Sequence, residues 1–246
     1  MLMMDTENIA AIQSTVASPV EVIERHDSEL TRVYHAILNA IMDGVLLPGK
    51  KLTESDLCRQ MVCSRNTVRG ALSLLAHDKI VDLLPNRGAF VHVPDLQEIR
   101  DVFFMRIALE EMTVDKLAEL PDAQEKLVPL YRLVAQQAEA HEAGDRVGRD
   151  RLSNAFHIEL ARVLNNQVLV EMMASLCARS SLMVALTGRA VKHESSNNEH
   201  TEMLTLLQKG KYRRAAKKMR KHLEVVLAHL EERFEEAEDE AGLMPA

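Results

Sequence analysis

The sequence predicts a mainly α chain in two parts: three short helices closed by one β-hairpin, then a longer unit built wholly of helices. Composition is the first reason. Among 246 residues the aromatics are 3% and Trp is absent, so the core falls to Leu, Val, Ile, Ala and the 13 Met. That set favours helices, whereas a β-sandwich or barrel draws on β-branched and aromatic residues. Periodicity is the second. Apolar residues recur at helical spacing along most of the chain, and only two runs alternate in the manner of strands. Breakers are the third: 9 Gly and 7 Pro are too few for a linker-dominated chain and fall between the periodic segments.

Residues 1–27 show no sustained period and read as a flexible tail. From Glu29, the residues Leu30, Val33, Ile37, Leu38 and Ile41 form one helical face, ended by Gly44 and Pro48-Gly49. Thr53, with Asp56 three positions on, reads as the capping box of a second helix carrying Leu57 and Met61. Ser64 caps a third helix whose Val68, Ala71, Leu72 and Leu75 share a face. Residues 80–84 and 89–93 alternate around Pro85-Asn86-Arg87-Gly88, which predicts a β-hairpin with Gly88 at positive φ. After Pro94 the period becomes helical throughout, with spans expected at 95–119, 122–143, 145–164, 166–188, 195–209 and 211–239. The expected division is therefore a 28–94 unit, a 95–240 unit for effector binding and dimerisation, and a 241–246 tail.

Net charge is −7, yet residues 28–94 alone carry eight Lys/Arg against six Asp/Glu. Phosphate binding depends on a local patch, so the acidic total does not exclude nucleic acid. No apolar run approaches the roughly 18 residues of a membrane span. The start of the chain carries Asp5 and Glu7 and no apolar signal core. Three cysteines, Cys58, Cys63 and Cys177, form no CxxC, which reads as a reduced thiol inventory in a cytoplasmic protein.

Three short helices and a hairpin in under 70 residues is the order of a winged helix-turn-helix. In the third helix Arg65, Asn66 and Arg69 point away from the apolar face, near its N-terminus, where forked donors meet base edges and phosphates. Ser64 and Thr67 add hydroxyls for phosphate, and Arg87 stands at the wing tip. Any lone pair of arginines is a solvated helix face; the helix order and the hairpin together argue for DNA. The segments Leu52-Thr53-Glu54-Ser55-Asp56-Leu57, Ser64-Arg65-Asn66-Thr67-Val68-Arg69-Gly70-Ala71-Leu72 and Pro85-Asn86-Arg87-Gly88-Ala89-Phe90-Val91 then resemble the N-terminal domain of GntR-family bacterial transcription regulators. The resemblance implies operator contacts by Ser64, Arg65, Asn66, Thr67 and Arg69, and wing contacts by Arg87 and Gly88. Two residues depart from that pattern: Thr67 stands where Pro is usual, and Gly70 where Glu is usual.

Of the ten histidines, three have apolar residues at i+3 and i+4 and lie on different expected helices: His157, His200 and His222. A single inward His is ordinarily a satisfied core residue. Three from separate helices of one bundle can build a metal or polar-ligand site, and burying three unpaired imidazoles costs several kcal/mol. Asn154-Ala155-Phe156-His157, Glu199-His200, the run Lys209 to Ala216, Met219 to Leu223, and Arg106-Ile107-Ala108-Leu109-Glu110 resemble the FCD ligand-binding domain of the FadR subfamily. The resemblance implies a divalent metal, often zinc or nickel, held by three His and one Asp near a carboxylate effector. The Asp position is Ser153 here, with Asp150 one turn further back. Arg106 is the candidate for the effector carboxylate; its other reading is an intrahelical pair with Glu110.

Between Lys209 and Lys221 stand eight Lys/Arg and no acid, while Glu224 to Glu240 is dominated by acids. This order opposes the helix macrodipole; it reads as a solvated face or as a second phosphate-contacting patch. The chain holds no HExxH, P-loop, GxGxxG or GxSxG, and Glu159 lies on the wrong side of its helix to serve His157 as a general base. The expectation is a dimeric, effector-responsive regulator on double-stranded operator DNA, a repressor rather than an enzyme. A metal-dependent helical hydrolase and an architectural DNA binder are the alternatives.

Overall fold

The computed structural model describes residues 28–186 and 194–241, which fall into two compact units meeting between Pro94 and Asp95. The expected tail at 1–27, the expected tail at 241–246 except for Ala241, and the expected break at Gly188 lie outside the described residues.

In the first unit, α1 (Glu29–Met42) starts at Ser28, whose Oγ accepts the Thr31 N–H at 3.2 Å. Two residues of β1 (Lys51–Leu52) lead to α2 (Glu54–Met61) and α3 (Arg65–His77). The wing is β2 (Val81–Leu84) and β3 (Gly88–Val91). All three strands pair antiparallel in the order β1-β3-β2, with Leu52 opposite Ala89 and Leu84 opposite Gly88. The sequence reading had two strands; β1 is too short for any alternation to show. It also gave Thr53 a capping box, but Thr53 makes no side-chain cap bond. Ser64 does cap α3, accepting the Thr67 N–H at 3.1 Å. Gly88 adopts the expected positive φ of 96°, and Asn86 shares it at 60°.

The apolar faces meet in one core of Val33, Ile37, Ile41, Leu57, Val68, Leu72, Leu75 and Val91. Gly70 acquires a packing role there: a Cβ on it would lie 2.9 Å from Leu30 Cδ1 of α1. The far end of the same helix pair is tied by the Tyr34 hydroxyl, which donates to Asp78 Oδ2 at 2.6 Å.

The second unit runs through α4 (Leu96–Lys116), a 3₁₀ turn at Leu117–Glu119, the single turn α5 (Ala123–Lys126) and α6 (Val128–Glu142). It continues with α7 (Arg146–Arg162), α8 (Gln167–Leu186), α9 (Glu194–Gln208) and α10 (Tyr212–Ala241). α10 lies along α4, and α7 packs between α6 and α8. Contrary to the sequence reading, α8 is long and apolar enough to cross a membrane by length and composition. Leu169, Met173, Leu182 and Met183 of that helix are buried in the bundle, which accounts for its apolarity.

Candidate DNA-reading surface and three-histidine centre

The candidate residues at the start of α3 are not equally available, and Thr67 is half-buried. Arg65 and Asn66 are exposed. Thr67 Oγ1 donates to Glu29 Oε2 at 2.8 Å and lies 2.8 Å from Ser64 Oγ. Since Thr67 gives its proton to Glu29, Ser64 must donate to Thr67, and both hydroxyl protons are committed within the protein. A phosphate oxygen only accepts, so these hydroxyls reach phosphate only by leaving that relay. Arg69 Nε donates to Glu54 Oε1 at 2.8 Å, which holds the guanidinium at the edge of a groove. Lys51, Glu54, Leu83, Pro85 and Gly88 line that groove between α3 and the wing. Arg87 lies over the Phe90 ring at 5.6 Å and Lys51 Nζ over the same ring at 5.7 Å. Glu29, Glu54 and Lys51 did not stand out in the sequence, because only the fold brings them against α3 and the wing.

In the second unit α7, α9 and α10 carry His157, His200 and His222 to one buried point. Each is at most 3% exposed, and one ligand atom from each lies within 4.8 Å of the others. The ring centroids are 5.1 to 5.6 Å apart, with Phe156 stacked on His200 at 4.1 Å. Every Nδ1 is held from outside the cluster. Glu110 Oε2 takes His157 at 2.5 Å, Gln137 Oε1 takes His200 at 3.0 Å, and Glu199 Oε2 takes His222 at 2.6 Å. These partners make Nδ1 the protonated nitrogen and leave Nε2 with its lone pair, the form in which imidazole binds a metal. His200 Nε2 is buried with no hydrogen-bond partner among the described residues.

Burial pushes the His157 imidazole down to about 4, against the pull of the Glu110 carboxylate. Burial and then the other two histidines press His200 well below the ordinary range. Burial alone would raise Glu110; His157 and Arg106 overcome it and hold the carboxyl below its usual range. At neutral pH His157 and His200 are thus neutral imidazoles beside the Arg106–Glu110 pair. Arg106 Nε donates to Glu110 Oε1 at 2.9 Å, while its Nη2 is buried without a partner among the described residues. Both sequence readings of Arg106 therefore have an atom to rest on. Asp150 instead takes Arg149 at 2.9 Å and is not in the cluster, and Ser153 is half-buried. Glu159 takes Arg162 at 3.0 Å. As partners of the histidines Glu110, Gln137 and Glu199 escaped the sequence reading, which had Glu110 only as a pair for Arg106 and Glu199 only beside His200.

Two family models match the chain: "Bacterial regulatory proteins, gntR family" over residues 30–91 and "FCD domain" over residues 101–225. An HTH-type transcriptional regulator from the TAR-I ttuE-ttuC' intergenic region of Agrobacterium vitis is 30% identical over 153 residues, 60% of this chain and 90% of that one. The Nta operon transcriptional regulator of Aminobacter aminovorans is 25% identical over 77% of this chain and 85% of its own. A crystal structure described as a GntR transcriptional regulator from Rhodococcus sp. RHA1 superposes with a TM-score of 0.74 at 28% identity. It covers 82% of this chain and 96% of its own. These families are regulators, not enzymes. With both models in sequence order and the winged and helical units in place, the chain belongs to the GntR family of bacterial transcription regulators, with an FCD domain as its second unit.

Proposed function

We propose that this regulator is a cytoplasmic homodimeric repressor whose FCD unit senses a small carboxylate through a divalent metal on His157, His200 and His222. The observation that carries this reading is the arrangement of the Nδ1 atoms. Three buried histidines are each fixed by a different partner, which leaves three Nε2 lone pairs in one place and one of them orphaned. A core that needed only packing would place Leu there at lower cost. Three imidazole nitrogens as donors suit zinc or nickel. With Ser153 in place of the usual Asp, three protein ligands leave coordination positions for acid oxygens. A bound divalent ion would supply the charge that draws a carboxylate in, and Arg106 Nη2 is the donor available to its other oxygen.

DNA reading falls to Arg65, Asn66 and Arg69 of α3 and to Arg87 and Gly88 of the wing, with Ser64 and Thr67 shaping the helix start. An isologous dimer presents two such heads to a pseudo-palindrome. Phe104, Ala108 and Met112 form an exposed stripe at intervals of four along α4, with Phe104 71% exposed, and this is the surface for the second copy. An acid that favours one bundle conformation weakens operator affinity by its differential affinity and no more.

Elemental analysis of protein purified without tag or chelator tests the centre. About one metal per chain, lost in His200→Ala, is expected. No metal in either protein would leave the histidines and Arg106 to hold the acid directly. Salt-sensitive binding to the upstream DNA of the chain's own gene tests the rest, and an affinity indifferent to every small acid would reduce the protein to an architectural binder.

A further inference from the structure

The start of α10 carries an exposed cationic surface that neither the winged unit nor the histidine centre uses. Of the eight Lys/Arg between Lys209 and Lys221, two are spoken for: Lys218 pairs with Glu202 at 2.5 Å, and Arg220 with Glu111 and Glu224. The other six, Lys209, Lys211, Arg213, Arg214, Lys217 and Lys221, are exposed and have no ion pair among the described residues. They are presented by rigid backbone. Gly210 turns the chain at φ 66°, and the Gly210 and Lys211 N–H groups bond back to Leu207 and Leu206 of α9 at 3.0 and 2.8 Å. Arg213, Lys217 and Lys221 are four residues apart, so they stand on one face of α10.

Local helix stability does not explain this placement. Cations in the first turn of a helix, here Arg213 and Arg214, meet the positive end of the macrodipole and are disfavoured by it. The acids that would relieve them lie in the second half of the same helix. The unit as a whole is acidic, since the residues after Pro94 contribute −5 of the net −7. A concentrated block of unpaired positive charge on an otherwise acidic unit fits a polyanion.

We propose that this surface binds the phosphate backbone of DNA flanking the operator, as a second, sequence-independent contact. The inference rests on the chain's being a DNA-binding regulator: once the winged unit is on its site, neighbouring phosphates reach the FCD unit at high effective concentration. The surface holds no recognition helix or wing, so its contribution is affinity and salt dependence, not base preference.

The test compares the full chain with a variant carrying Arg213→Gln, Arg214→Gln, Lys217→Gln and Lys221→Gln. Gln keeps helix propensity and relieves the dipole conflict, so the variant's Tm should equal or exceed the wild type's. Binding is measured across a salt series on two duplexes of roughly 60 bp, one carrying the operator and one of random sequence, and on an operator trimmed to about 20 bp. On both long duplexes the slope of log K against log salt should flatten by about 2 or more, given about 0.9 per phosphate contact. Affinity there should fall tenfold or more, with no change on the trimmed operator. Parallel slopes on the long duplexes would overturn the proposal, and so would equal losses on long and trimmed DNA. A changed oligomeric state with unchanged slopes would also overturn it, and would assign the surface to the acidic half of α10 in a second copy. Arg65→Ala, run alongside, should shrink the preference for operator over random DNA at least tenfold and keep the slope on random DNA, so failure of operator reading and failure of this surface give different results.

Discussion

Glu110 Oε2 accepts the Nδ1 proton of His157 at 2.5 Å, and both residues are buried to within 3% of full burial. Because the other carboxylate oxygen takes Arg106 Nε, one residue joins the metal-ligand candidate to the effector-binding candidate. Glu110→Gln should therefore act on both. The amide oxygen still accepts from His157, but the buried guanidinium loses its counter-charge. Stripping one partner from such a pair costs about 3–5 kcal/mol, read as a large fall in Tm. Metal affinity should drop about tenfold or more, because a neutral amide raises the basicity of the His157 imidazole less than a carboxylate does, measured by chelator competition. Wild-type metal affinity in the variant would mean that Glu110 serves Arg106 alone.

The same burial sets a pH dependence in metal-free protein. His157 titrates at about 4 when folded and near 6.5 when unfolded. Between these values the unfolded chain binds more protons, so stability is full above about pH 6.5 and is lost as pH falls toward 4. That loss is on the order of 3 kcal/mol for His157 alone. His200 acts in the same direction, and Glu110 adds its own loss at more acid pH because its carboxyl is held low. The Tm of chelator-treated protein should fall steadily from pH 7 to 4.5. A flat profile would show that the imidazoles are hydrated and free to charge.

The three histidines were legible in the sequence because each sits on an apolar helical face, and a face fixes direction. Their partners were not. Glu110, Gln137 and Glu199 lie on α4, α6 and α9, and which polar residue of one helix meets which imidazole of another depends on helix rotation and crossing, which no local period records. The same holds for the winged unit. The hairpin and the Ser64 cap follow from local chemistry, while β1 exists only because β3 is beside it, and the Glu29–Thr67 contact spans 38 positions. Gly70 stands out in the sequence only as a departure from the resembled pattern, and the fold alone brings Leu30 of α1 against it.

Dimerisation through α4 is tested at Phe104. Its ring is exposed, so Phe104→Glu removes no core contact and should leave Tm within about 0.5 kcal/mol of wild type in stability terms. A carboxylate on a self-complementary patch faces its own copy across the two-fold axis. Sedimentation should show a monomer, and operator affinity should fall 100-fold or more as the two heads become independent. A dimer that survives would move the interface to another face.

Operator reading separates Arg65 from Thr67. Arg65 is exposed and has no ion pair among the described residues, and Arg65→Ala should lose about 1–3 kcal/mol of operator affinity per half-site while effector binding is kept. Thr67→Val breaks the Ser64–Thr67–Glu29 relay without removing a free donor. Its effect should be a loss of about 1 kcal/mol in stability of the winged unit and under tenfold in DNA affinity. If Thr67→Val matched Arg65→Ala on DNA, the relay would open on binding and the hydroxyl would contact phosphate after all.

Gly70→Ala asks which of two opposed effects wins in α3. Replacing a mid-helix Gly gains up to about 1 kcal/mol of helix propensity. Against that, the new methyl lies 2.9 Å from Leu30 Cδ1, closer than a real contact allows. The atom that must yield is the end of a half-buried, flexible side chain and not backbone, so a rotamer change of Leu30 removes the clash at less than the propensity gain. The variant should be neutral to about 0.5 kcal/mol more stable by denaturant titration, with operator affinity unchanged. Gly70→Leu, which adds three more carbons in the space Leu30 occupies, should cost about 1–3 kcal/mol. A loss of that size already in Gly70→Ala would show that α1 and α3 are locked together and that Gly70 sets the distance between them.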